Sequence, residues 1–153
     1  MCDLLAAGAF PSQPRHLPIA ITQVDGDPMV ILVAEDHEDV RLAIWNILKA
    51  EGFTVLAAYD GISTLELSRC YPGTIDLLLS DMDMPRMGGL ELCKTIAAER
   101  PGIKVLMMSG EASCKEQVSM NGLPFLQKPF THTVVRDSIE ALLGPIQPSN
   151  DSD

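Results

Sequence analysis

Five short apolar runs separated by amphipathic stretches are the feature that most constrains this chain. The runs cover residues 29–34, 53–58, 75–80, 104–109 and 124–127. They lack period-two alternation, as expected of strands covered on both faces. Between the first two, residues 37–51 set Val40, Ile44, Ile47 and Leu48 on one stripe, and Gly52 stands where such a helix stops. Residues 61–71, 88–100 and 131–143 repeat the pattern, with Thr131 placed to cap the last. Residues 112–121 form the weakest of the five helical segments, short and rich in polar or small side chains. Strict alternation of five strands and five helices predicts an α/β fold: a parallel sheet with right-handed crossovers and helices on both faces.

This pattern fills residues 29–144, which are expected to be one domain. Residues 1–28 carry Pro11, Pro14, Pro18 and Pro28 without helical periodicity and are expected to be a disordered arm, in which residues 19–24 pair at most transiently as an edge strand. Residues 145–153, rich in Pro, Ser, Asn and Asp, are expected to be a flexible tail. The net charge of −10 is spread over both flanks, −2 each, and the middle, −6. Such a surface repels phosphate backbones, which argues against direct nucleic-acid binding.

Cys2, Cys70, Cys93 and Cys114 form no C-x-x-C pair, so neither structural zinc nor a disulfide framework is expected, and a reducing cytoplasm is the default compartment. Residues 4–10 are apolar, but Asp3 and Pro11 make a poor signal peptide of them. No apolar stretch is long enough to cross a bilayer. A soluble, cytoplasmic protein is expected.

In parallel sheets of this kind, functional groups gather where the strands end. Here the first run is followed by Glu35 and Asp36, the third by Asp81, and the fifth by Lys128-Pro129, while Ser109 closes the fourth. Taken singly, each has an ordinary explanation. An acidic pair before a helix, for example, interacts with the helix dipole for roughly 0.3–1 kcal/mol. Taken together they read differently. Three carboxylates at one edge repel unless a cation joins them, and hard oxygen ligands suit Mg²⁺, which shares its shell with phosphate oxygens. With Lys128 adding positive charge and Ser109 a hydrogen bond, the set points to phosphoryl transfer.

The wording of these segments is specific. Val30-Ile31-Leu32-Val33-Ala34-Glu35-Asp36, Asp76-Leu77-Leu78-Leu79-Ser80-Asp81-Met82-Asp83-Met84-Pro85-Arg86-Met87-Gly88-Gly89, Val105-Leu106-Met107-Met108-Ser109-Gly110 and Phe125-Leu126-Gln127-Lys128-Pro129-Phe130 occur in this order. Over residues 29–143 the chain resembles the receiver domain of two-component response regulators, and in wording the receivers of hybrid sensor kinases. The resemblance implies a flavodoxin-like sheet of order 2-1-3-4-5. It implies Asp81 as the phosphoacceptor, taking a phosphoryl group from a phosphohistidine of a sensor histidine kinase or phosphotransfer protein. It implies Mg²⁺ held by Asp36, Asp81 and the backbone carbonyl of Asp83, with Glu35 acting through water. Lys128 would pair with the phosphoryl oxygens, from a cis Lys128-Pro129 bond. Ser109 and Phe125 would be the switch that signals to a downstream protein.

Two departures from the commoner pattern stand out: the acidic pair is Glu-Asp rather than Asp-Asp, and Phe125 has no phenolic hydroxyl. His37 is read as a helix-start residue rather than a ligand. The chief rival is enzymatic, since Asp81-Met82-Asp83 also resembles the nucleophile motif of haloacid-dehalogenase-type phosphatases. In that family the motif ends the first core strand and an acidic pair follows the lysine, whereas here Glu35-Asp36 precede it and only Asp137 and Glu140 follow Lys128.

Overall fold

The computed structural model describes residues 28–111 and 113–146. Along them β1 (Val30–Ala34), β2 (Thr54–Ala58), β3 (Leu77–Asp81), β4 (Lys104–Ser109) and β5 (Phe125–Gln127) alternate with α1 (Glu38–Ala50), α2 (Gly61–Cys70), α3 (Gly89–Glu99), α4 (Ser113–Met120) and α5 (His132–Leu143). The strands form one sheet in the order β2-β1-β3-β4-β5, every neighbouring pair parallel. This is the architecture read from the alternation of segments.

Each apolar strand feeds two cores because successive side chains point to opposite faces. Val30, Leu32 and Ala34 of β1 pack with Leu65 and Leu67 of α2, Leu92 and Ile96 of α3 and Val118 of α4. Ile31 and Val33 pack on the other face with Ile44 and Leu48 of α1 and Val135 and Ile139 of α5. Three helices thus cover one side and two the other. This explains why the strands carry no polar alternation: β1 and β3 are buried at every position.

The helix boundaries follow local chemistry. The Thr131 hydroxyl accepts from the Val134 N–H and caps α5, and the Asp60 carboxylate caps α2 by accepting from Ser63. His37 occupies the cap position of α1 without a side-chain bond of that kind. Gly52 takes φ 95° just past α1, a left-handed conformation that favours glycine. On the expected α1 stripe, Ile44 and Leu48 are buried and Val40 and Ile47 half-buried.

Several strand limits differ by a residue or two from the sequence reading. The third strand starts at Leu77 rather than Ile75 and includes Asp81. Asp76 is instead a clasp at the entry of the sheet: its carboxylate accepts from the Val30 N–H at 2.8 Å, and its own N–H donates to the Val30 carbonyl. The weak fourth helix exists, with eight residues. The Lys128-Pro129 peptide is cis. The arm expected over residues 1–28, with its transient strand, lies outside the described residues except for Pro28, as does the expected tail from residue 147. Ile146 is half-buried against the α1–α5 core, and its N–H donates to Glu140. None of the helices among the described residues is long and apolar enough to cross a membrane.

Candidate functional site

Strand register assembles the site. Ala34 of β1 pairs with Ser80 of β3, Asp81 of β3 with Met108 of β4, and Ser109 of β4 with Gln127 of β5. The residues that close or follow these strands therefore share one edge: Glu35 beside Asp81, Asp81 beside Ser109, Ser109 beside Lys128. Segments far apart in sequence meet because parallel strands all end on the same side.

Lys128 is the hub. Its ammonium donates to Glu35 Oε1 at 2.7 Å and to Asp81 Oδ1 at 3.1 Å. Glu35 is fully buried and Asp81 is 5% exposed, so both carboxylates are largely removed from water. Burial, and next the neighbouring Glu35 charge, push the Asp81 carboxyl up to about 6, against the pull of Lys128. Burial works to lower the Lys128 ammonium, but the bond to Glu35 and the charges of Asp81 and Glu35 outweigh it, and its pKa is raised. The pair is thus ionised at neutral pH, with Asp81 the less comfortable member.

Both carboxylate oxygens of Glu35 are already engaged, which suits it to reach an ion through water rather than directly. Its Oε2 accepts from the His37 N–H at 3.1 Å and lies 3.3 Å from His37 Nδ1, and Arg41 on α1 donates to its carbonyl at 2.9 Å. Asp36 is the opposite case. Its Oδ1 is buried without a hydrogen bond, although His37 Nδ1 lies 3.4 Å away. An anionic oxygen in that position calls for a cation. Ligand atoms of Glu35, Asp36 and His37 lie within 4.8 Å of one another, while Asp81 reaches Lys128. The donor chemistry fits a hard divalent ion, with Asp36 the open ligand.

On the other flank, the Ser109 hydroxyl is buried and accepts from the Glu111 N–H at 3.0 Å. Phe125, paired with Met107 in the sheet, is half-buried against the α2–α4 core. Asp83 is exposed on the β3–α3 loop, its carboxylate within 4.8 Å of Glu111 and Cys114. Gly89 lies under the site: a Cβ there would overlap the Asp81 carbonyl oxygen. Sequence reasoning missed the Glu35–Lys128 contact, and it missed Arg86, which pairs with Asp60 across 26 positions. Asp60 before a helix carries a capping signal, but nothing local points to its partner.

Comparison with known proteins identifies the family and agrees with the fold. The family model described as response regulator receiver domain matches residues 31–140. The chain is 33% identical over 121 residues to the chemotaxis protein CheY of Pseudomonas aeruginosa, covering 74% of this chain and 95% of that protein. It is 32% identical over 128 residues to the sensor kinase CckA of Brucella abortus, covering 80% of this chain but 13% of the kinase, and it spans 55% of the response regulator MprA of Mycobacterium avium. Among solved structures, the receiver domain of the hybrid histidine kinase CckA superposes with a TM-score of 0.65 at 32% identity, covering 74% of this chain and 98% of that one. A receiver domain protein from Clostridium thermocellum, 24% identical, shares the fold with a TM-score of 0.68 over 75% of this chain and 94% of its own. With a matching family model over most of its length and a relative 33% identical along nearly its whole chain, this chain belongs to the response regulator receiver domain family.

Proposed function

We propose that the chain is a phosphorylation switch in which Asp81 accepts the phosphoryl group. One observation carries this: a nearly buried carboxylate at the end of β3 faces the Lys128 ammonium at 3.1 Å and feels the charge of Asp36, whose buried Oδ1 has no hydrogen bond. An Asp81 oxygen attacks phosphorus while the bond from phosphorus to the donor nitrogen of a phosphohistidine breaks, leaving an acyl phosphate and a neutral imidazole on the donor after protonation. Lys128 and the Ser109 hydroxyl hold the phosphoryl oxygens. Asp36, Asp81 and the backbone carbonyl of Asp83 would hold Mg²⁺, with Glu35 acting through water. The ion supplies positive charge against the developing phosphoryl charge.

The donor is a sensor histidine kinase or phosphotransfer protein, and the output a downstream protein. Ser109 leaves its bond to the Glu111 N–H for the phosphoryl group, and Phe125 moves into the space behind it. The protein transfers the group onto itself and loses it again rather than turning over an external substrate. We place it in the cytoplasm, which the free thiols of Cys93 and Cys114 fit.

The test is incubation with Mg²⁺ and a radiolabelled small acyl phosphate. The expected result is one labelled aspartate per chain, hydroxylamine-labile and lost in Asp81→Asn. Label elsewhere, or sustained turnover of an aryl phosphate, overturns the reading.

A further inference from the structure

The β3–α3 loop, residues 82–88, is tied down by a link that the proposed chemistry does not use. Asp60, 5% exposed, divides its carboxylate between two tasks. Its Oδ1 accepts from the Ser63 N–H at 2.7 Å and caps α2. Its Oδ2 accepts from Arg86 twice, from Nε at 2.9 Å and from a terminal guanidinium nitrogen at 2.5 Å. Arg86 sits in the loop at φ 71°, the one non-glycine residue with positive φ among the described residues. A residue with a Cβ adopts that conformation only where its surroundings impose it.

The surroundings here are closely fitted. Gly61, first residue of α2, leaves room for Met87: a Cβ on it would stand 2.6 Å from both the Cβ and the carbonyl oxygen of Met87. Burial alone would raise the Asp60 carboxyl, yet the backbone bond from Ser63 and the Arg86 guanidinium bring it below its usual value. Asp60 is therefore an ionised anchor for both partners. The loop it anchors starts next to Asp81 and carries Asp83.

We propose that Asp60 and Arg86 are positioning residues whose ion pair fixes the loop carrying Asp83 and thereby sets the Mg²⁺ affinity of the site. This rests on the Mg²⁺-dependent phosphoacceptor reading. Neither residue touches the metal. They act by holding one ligand-bearing segment in place, as groups behind metal ligands do elsewhere. The pair is also built for the purpose: its carboxylate is buried and its guanidinium enters from solvent, so the loop's conformation and the α2 cap depend on the same side chain.

Calorimetric titration of MgCl₂ into the full chain tests this, with hydrogen exchange of the metal-free loop as a second readout. Asp60→Asn keeps an oxygen for the Ser63 N–H while weakening the link to Arg86, and Arg86→Ala removes the link from the other side. Each is expected to raise the Mg²⁺ Kd roughly tenfold and to speed exchange at residues 82–88. The double variant should be no weaker than either single one, because both remove the same link. Arg86→Gly, which accepts the left-handed backbone but has no guanidinium, should bind as weakly as Arg86→Ala. Arg86→Lys should recover part of the affinity.

If the wild type binds Mg²⁺ and all variants bind within about twofold of it while only melting changes, the pair is structural and the inference fails. It fails likewise if Arg86→Gly restores affinity. A wild type that does not bind Mg²⁺ at all removes the phosphoacceptor reading itself, a distinct outcome.

Discussion

Replacing Asp81 by asparagine should make the metal-free protein more stable, although it removes the residue on which the proposed function depends. Raising the Asp81 carboxyl from 3.8 to about 6 means that the folded chain holds the ionised form less well than the unfolded chain does. At about 1.36 kcal/mol per pH unit, the penalty is about 3 kcal/mol. Well below pH 3.8 both states are protonated and the penalty vanishes. It grows as pH rises through the interval from about 4 to about 6, and is complete at neutral pH. Asparagine mimics the protonated acid, and its amide oxygen can face Lys128. The stabilisation should therefore be only a few tenths of a kcal/mol near pH 3.5 and reach about 3 kcal/mol at pH 7.5, roughly 10 °C in melting midpoint for a domain of this size. Mg²⁺ should narrow the difference by stabilising the wild type, by about 1.4 kcal/mol for each tenfold excess over Kd, and leave the variant unmoved. Urea and thermal melts in EDTA and in MgCl₂ across pH 3.5–7.5 measure all of this. A variant no more stable than wild type at pH 7.5, or equally more stable at every pH, would show that Asp81 carries no burial penalty.

Arg100 donates to the Ser68 hydroxyl and to the carbonyls of Ser68, Tyr71 and Gly73, tying α3 to the end of α2. Arg100→Ala should cost about 2–4 kcal/mol in urea unfolding without changing the m-value, since it strands several half-buried acceptors. Gly89→Ala should cost about 3 kcal/mol or more and impair labelling of Asp81, because the added methyl overlaps the Asp81 carbonyl and would stand 2.8 Å from the Met107 methyl. NMR spectra with Mg²⁺ and beryllofluoride, a mimic of the aspartyl phosphate, should shift at Ser109, Phe125 and α5. Shifts confined to the loops around Asp81 would refute transmission to that face, and Ser109→Ala should blunt the distant changes while leaving the local ones.

What the sequence determined by itself is what depends on short-range pattern. Five unalternating apolar runs between amphipathic stretches compel a sheet covered on both faces, and the register of parallel strands then brings Glu35, Asp36, Asp81, Ser109 and Lys128 to one edge. Thr131 and Gly52 announced their helix ends because capping is a matter of a few neighbouring residues.

Strand limits were less legible, since Asp76 leaves β3 to clasp Val30, 46 positions away. Partner choice was not legible at all. Lys128 could have faced Asp81 alone, but the longer arm of Glu35 reaches it at 2.7 Å, and His37 takes the other oxygen. Asp36 is thereby left as the open carboxylate. Arg86 reads in sequence as one residue of a turn, and only the approach of α2 to the β3–α3 loop gives it Asp60. Local propensity and periodicity fix elements and their edges, whereas which buried charge meets which is decided by the distances that tertiary packing leaves between side chains.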